Sequence, residues 1–226
     1  TRPSGPAPGD LAGRAASAVL SGPGLRPETR PVLEVLDDDL RRWARTNVRP
    51  QRQEGYSIVT VTLPLGDLTG SQMRLLGELA LAYGDGTVRT SVNQDLLFRW
   101  VRTAEVPALH ARLAAIGLGR GDAHTIANVT SCPGAEACRL AVTQSRGLGK
   151  VLSDHLAARP DRVAAAGDLD VKISGCPNGC GQHHVAGLGF QGSVRRVGGK
   201  AAPQYFVMVG GGVHADGARF ARVRAA

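Results

Sequence analysis

Aromatic residues make up only 4% of this 226-residue chain, so a core must be built from Leu, Val, Ile and Ala. No stretch approaches the ~18 consecutive apolar residues of a membrane-spanning helix. Residues 15–20 are too short for a secretory core, and no cleavage pattern follows them. These absences predict a protein with no membrane partner that stays in the cytoplasm. Lys and Arg exceed Asp and Glu to give a net charge of +8. The basic residues are dispersed, however, with no tail-like run and no Arg-rich strip interleaved with aromatics. That places nucleic acid low among the partners and favours an anionic cofactor or an acidic protein.

The length suffices for one large domain or two small ones with a real core. At 42% hydrophobic and 20% charged, the composition is that of an ordinary globular protein. Glycine is abundant, 30 residues in all and concentrated in the C-terminal third, which points to backbone packed close to something other than side chains. The chain opens at Thr1 rather than Met, and is read as a processed product or an excised piece.

Residues 1–31 hold six prolines and five glycines without hydrophobic periodicity, the composition of a linker or wrapping arm. A short helix is expected over 33–44, with Asp37, Asp38 and Asp39 on a solvated face; three consecutive residues on a helix point apart and cannot share an ion. Residues 56–63 read as a strand. Thr69 to Gln72 forms a capping box for a helix carrying Met73, Leu76, Ala80 and Tyr83 on one face and ending at Gly84. Strands over 87–92 and 96–101, a helix over 104–116 and a strand over 124–130 complete a β-α-β-β-α-β order, the ferredoxin-like split arrangement. That name describes a fold and implies no cluster. Beyond it, a helix is expected over 135–145, interrupted by Gly147 and Gly149 before 151–157. Strands follow over 169–174, 185–190 and 205–209. The fold class is thus α+β: an arm over 1–45, a ferredoxin-like subdomain over 46–120 and a second α+β subdomain over 121–226.

All four cysteines fall in the second subdomain, as Cys132 and Cys138 (C-x5-C) and Cys176 and Cys180 (C-x3-C). Disulfides would require an oxidising compartment, for which no export signal speaks. Structural zinc favours shorter knuckles than C-x5-C, and redox thiols favour C-x2-C. Iron–sulfur clusters tolerate looser spacing because loop backbone wraps them, and Pro133, Gly134, Gly175, Pro177, Gly179 and Gly181 supply such backbone. Spacing alone favours iron–sulfur and leaves zinc open.

The wording of the loops goes further. NVTSCPGAEAC and ISGCPNGCGQHHVAGLGFQG, with 37 residues between Cys138 and Cys176, closely resemble the sirohaem-dependent nitrite/sulfite reductase family. GYSIVTVTLPLGDLT, GTVRTSVNQDLLFRWV and LAAIGL resemble the ferredoxin-like repeat that precedes the family's cysteine region, so the likeness covers roughly residues 46–212. It implies that Cys132, Cys138, Cys176 and Cys180 ligate one [4Fe–4S] cluster. Cys180 would also bridge to the sirohaem iron. The implied activity is six-electron reduction of nitrite to ammonia or sulfite to sulfide, fed by ferredoxin or a similar acidic donor. Sirohaem carries eight carboxylates, which call for Arg, Lys, Asn and backbone donors. Arg89, Asn93 and Gln94, in the hairpin that resembles the family's cofactor-facing strand, and Asn178, between two cysteines, are the candidates. Arg146 and Lys150 read as surface charges, and His183 and His184 as structural.

Whole family members carry two such repeats, and this chain shows one. Its first strand lacks the basic residues expected of the first repeat, so it resembles the second. A missing N-terminal repeat or a partner subunit is therefore expected, although single-repeat members exist. Two alternatives remain: a [4Fe–4S] electron-transfer or cofactor-holding module that needs a partner chain, and a zinc-stabilised binding module.

Overall fold

The computed structural model describes residues 38–214 and 217–225, arranged in two compact units. One holds the described residues up to Leu63 together with Asp67–Ala123; the other holds Pro64–Gly66 and the residues from His124 onward. The expected arm over 1–31 and the first residues of the expected 33–44 helix lie outside the described residues.

The first unit begins with α1 (Asp38–Asn47), whose exposed Asp38 and Asp39 stand in its first turn, where carboxylates oppose the positive end of the helix dipole. Strands β1 (Val48–Pro50), β2 (Tyr56–Val61), β3 (Val88–Thr90) and β4 (Leu96–Arg102) form an antiparallel sheet in the order β1-β2-β4-β3. Helices α2 (Gly70–Tyr83) and α3 (Val106–Ala115) complete the unit. The capping box is present: Thr69 Oγ1 accepts from Gln72 N at 3.1 Å and Gln72 Oε1 accepts from Thr69 N at 3.0 Å. Leu76, Leu79, Ala80 and Tyr83 are the buried residues of α2, whereas Met73 is 62% exposed and stands off the expected face. Val59, Val61, Phe98, Val101, Leu109 and Leu113 join them in one core, closed by Trp43 from α1.

The α+β class holds, but the fourth strand of this sheet is β1, not the expected 124–130 segment. Asp122 and His124 have left-handed backbone (φ 71° and 60°), which breaks an extended run. The buried Ala127 and Val129 alternate like strand residues, but Ala127 lies in a turn and Val129 in irregular backbone. Only Thr130 of that segment is in a strand, and that strand belongs to the other unit.

In the second unit a five-stranded sheet runs β11-β8-β7-β6-β5. Here β5 is Thr130–Ser131, β6 Val171–Ser174, β7 Leu188–Val197, β8 Lys200–Val209 and β11 Arg222–Ala225. A two-stranded ribbon of β9 (Gly212–His214) and β10 (Gly217–Arg219) precedes β11. Strands β5, β6 and β7 are parallel, and β8 and β11 continue antiparallel. The β7–β8 hairpin extends well beyond the apolar stretches that betrayed it, because Gly198 and Gly199, both at positive φ, supply the two-residue turn that matches strand twist. Helix α4 is Ser145–Ala157 and α5 is Pro160–Ala165. The helix expected over 135–145 is absent, because that backbone bonds elsewhere: Ala135 N to Thr143 O at 2.9 Å and Val142 N to Gly175 O at 2.9 Å. Gly147 and Gly149 lie inside α4 rather than interrupting it. At Gly149 a Cβ would stand 2.8 Å from Leu65 Cδ2, so this glycine serves close packing.

Asn47 is fully buried and ties three segments of the first unit together. It donates to Thr60 O at 2.8 Å and Arg120 O at 3.3 Å, and accepts from Ala123 N at 3.3 Å. Asn47→Ala is expected to cost about 3 kcal/mol by leaving buried groups unpaired. A urea titration checks this, and an unchanged midpoint would show that the three bonds contribute nothing net.

Candidate metal centre

Parallel pairing of β5 with β6 brings the two cysteine loops out at one edge of the sheet. The register sets Ser131 beside Ile173. Cys132 follows β5 directly and extends the ladder, its N–H donating to Ile173 O at 3.0 Å. Cys176 lies two residues beyond the end of β6, and the loop to β7 carries Cys180. All four cysteines are free of disulfides. They differ in exposure: Cys132 is buried, Cys138 and Cys176 are intermediate and Cys180 is exposed.

Hydrogen bonds close the first loop on itself and tie it to the second. Cys138 N donates to Gly134 O at 2.9 Å, and Gly175 N donates to Cys132 Sγ at 3.1 Å. The glycines here have no room for a side chain: a Cβ at Gly181 would overlap the Ile173 carbonyl, and one at Gly134 would overlap Ser145 Oγ. Arg146 is half-buried rather than a plain surface charge; its Nε lies 3.3 Å from Glu136 Oε2 of the first cysteine loop and its Nη1 donates to Leu65 O at 3.3 Å. Lys150 is an exposed partner of Asp154, at 2.7 Å.

Sequence reasoning gave no sign of the polar layer behind Cys132. Ser145, at the start of α4, is fully buried, with Oγ 3.3 Å from Cys132 Sγ. Thr143 Oγ1 and Tyr205 OH are buried nearby. The Thr143 hydroxyl is near enough to affect the Tyr205 phenol, although neither oxygen has a hydrogen-bond partner. Burial raises the Tyr205 phenol above its ordinary pKa; the Thr143 hydroxyl lowers it and the Cys132 thiolate raises it further. Glycines and serines read as loop residues in a sequence, and only the fold shows which sulfur they face.

His183 is fully buried, with Nε2 3.1 Å from Gln191 Oε1 and its ring stacked on His184 at 3.8 Å between centroids. The pair packs over Gly179, where a Cβ would stand 2.8 Å from His184 Nδ1. The histidines thus brace the C-x3-C loop. Among the described residues no group of three or more His, Cys, Asp or Glu side chains is already drawn together around a single ion.

The cofactor candidates fall in two places. Asn178 is exposed on the C-x3-C loop of the second unit. Arg89 is exposed on β3 of the first unit. Asn93 and Gln94 form the turn after β3, where Ser91 Oγ accepts from Asn93 N at 3.2 Å and Gln94 takes left-handed backbone at φ 66°.

A buried thiol with an amide donor aimed at its sulfur, and loops of close-packed glycine, suit an anionic iron–sulfur centre, and the class is that of iron–sulfur redox proteins. Comparison with known proteins makes the family explicit. Residues 49–116 match the family model described as the nitrite/sulfite reductase ferredoxin-like half domain, and residues 122–224 that described as the nitrite and sulphite reductase 4Fe-4S domain. The chain belongs to the nitrite/sulfite reductase family, whose cofactors are a [4Fe–4S] cluster and sirohaem. It is 29% identical to the ferredoxin–nitrite reductase of Synechococcus elongatus over 79% of this chain and 35% of that protein. With the chloroplastic ferredoxin–nitrite reductase of Zea mays it shares 31% identity, over 78% of this chain and 32% of the relative. The solved structure of the Mycobacterium tuberculosis NirA protein superposes with a TM-score of 0.68 at 26% identity, covering 88% of this chain and 35% of that one. The chain therefore spans about a third of the length of the curated relatives it matches. No described helix is long and apolar enough to cross a membrane.

Desolvation, then the neighbouring His184, lowers the His183 pKa below the ordinary 6.5, against the raising effect of Gln191. Below pH ~6.5 the unfolded chain takes up a proton that the folded chain refuses. Stability should therefore fall as pH drops from 7 through the depressed folded value, by up to about 1.4 kcal/mol per pH unit. Denaturation midpoints between pH 5 and 7 test this, and His183→Gln should flatten the dependence.

Proposed function

We propose that this chain is the cofactor-binding half of a [4Fe–4S]/sirohaem oxidoreductase that reduces nitrite to ammonia or sulfite to sulfide in the cytoplasm. The observation that carries the reading is the pair of cysteine loops leaving adjacent parallel strands, within the segment matched by the family's 4Fe-4S domain. In this reading Cys132, Cys138, Cys176 and Cys180 hold the cluster as thiolates. Cys180, the exposed sulfur, is the one accessible to a second iron and acts as the proximal sirohaem ligand. When bound, the cluster and haem supply the electron relay to the substrate anion.

The chain's own residues position and shield. Glycine backbone admits close approach, the Gly175 amide offsets thiolate charge, and the stacked His183–His184 pair holds the second loop in shape. Arg89, Asn93, Gln94 and Asn178 are assigned to the sirohaem carboxylates as hydrogen-bond donors. The net charge of +8 suits an acidic donor of the ferredoxin type. A second reading follows from coverage of only about a third of the relatives: the chain holds cofactor while an N-terminal repeat or partner subunit completes the substrate pocket.

Anaerobic purification with iron, sulfide and zinc analysis tests the proposal. About five irons per chain with sirohaem absorption is the expected result, one cubane and one haem. Turnover of nitrite or sulfite with reduced ferredoxin then separates the complete enzyme from the holding module. Substitution of any one of the four cysteines by Ser should abolish or deplete the cluster. Zinc without iron, before and after reconstitution, would overturn the redox reading.

A further inference from the structure

The four cysteines are unequal, and the difference is greatest at Cys132. Its sulfur is buried, at 7% residue exposure, in a pocket closed by backbone and by Ser145, which is itself fully buried. Two groups able to donate lie against this sulfur. Gly175 N reaches it at 3.1 Å, and Ser145 Oγ lies 3.3 Å away.

Ser145 has one hydroxyl proton and two acceptors within reach. Its Oγ is also 3.0 Å from the Cys132 carbonyl oxygen. While Cys132 is a thiol, S–H donates to Ser145 Oγ and the hydroxyl proton goes to the carbonyl. Once the sulfur is a metal-bound thiolate it has no proton to give and becomes an acceptor only. The hydroxyl can then turn to sulfur without stranding the carbonyl, because Ser131 Oγ already donates to that same oxygen at 3.0 Å. The rotor is held in place by close packing, since any Cβ on Gly134 would overlap Ser145 Oγ.

We propose that Ser145 is a positioning residue for the cluster: its hydroxyl hydrogen-bonds the Cys132 thiolate and, with the Gly175 amide, raises the reduction potential at the buried corner. The inference rests on the cluster assignment above. Its physical basis is that added electron density on cluster and thiolate strengthens a donor hydrogen bond, so the donor favours the reduced state.

The test uses the full chain carrying its cofactors, with redox titration followed by electron paramagnetic resonance. Ser145→Ala should keep its iron and sulfide but shift the cluster's reduction equilibrium about tenfold toward the oxidised form, 59 mV for one electron. It should also lose one exchangeable-proton coupling in electron–nuclear double resonance, which a merely structural role would not remove. Ser145→Thr, which keeps the hydroxyl, should restore both. Thr143→Val, which removes a buried hydroxyl nearby, should leave both unchanged. In the unaltered protein, transfer to D2O should reveal the serine deuteron, so the proposal stands or falls even where Ser145→Ala does not assemble. A loaded Ser145→Ala protein with unaltered potential and couplings, or unaltered protein with no such deuteron, overturns this inference and leaves the cluster assignment intact. Unaltered protein that never takes up iron and sulfide overturns both.

Discussion

Two residues of parallel β-ladder hold the two halves of the candidate metal centre together. Strand β5 is only Thr130–Ser131, yet its pairing with β6 sets which residue of the first loop stands beside which residue of the second. The Cys132 N–H bond to Ile173 O carries that register one residue past the strand and into the site. A slip of one position would turn Cys132 to the opposite face of the sheet. The register is protected from both sides: all four residues of β6 are buried, and Leu148, Leu152 and Leu156 of α4 pack against the Val129–Val171–Ile173 core.

From that pairing outward, the site is made of backbone more than of side chains. The glycines at 134, 175, 181 and 192 each face a neighbour that a Cβ would meet at less than an ordinary contact distance. Close approach lets amides such as Gly175 N point at sulfur in place of solvent. Because the donors are fixed by the sheet, they need little reorganisation when charge arrives, which is the condition under which a dipole is most effective in a poorly solvated environment.

Residues whose meaning is local were legible in the sequence. The Thr69–Gln72 cap, the helix it opens, the cysteine spacings and the glycine-rich loops all follow from neighbours within a few positions. What failed depended on distant partners. The 124–130 segment alternates like a strand, but left-handed backbone at His124, and at Asp122 just before it, breaks the extended run. The 135–145 segment has helical composition, but its amides are drawn to Thr143 and Gly175. The strand β1, only three residues long, carries no pattern strong enough to notice. Ser145 gave no signal because a serine facing solvent and a serine facing a thiolate are spelled alike.

The graded exposure of the four sulfurs has a consequence for how the molecule matures. Cys132 sits in a finished backbone seat tied to Ile173 and Gly175, while Cys180 lies open at the rim. In the proposed assignment such a chain would not have to wrap itself around its inorganic guest. It would offer one seated sulfur and one accessible at the rim, so loading would proceed from the rim inward and oxidant damage would begin there.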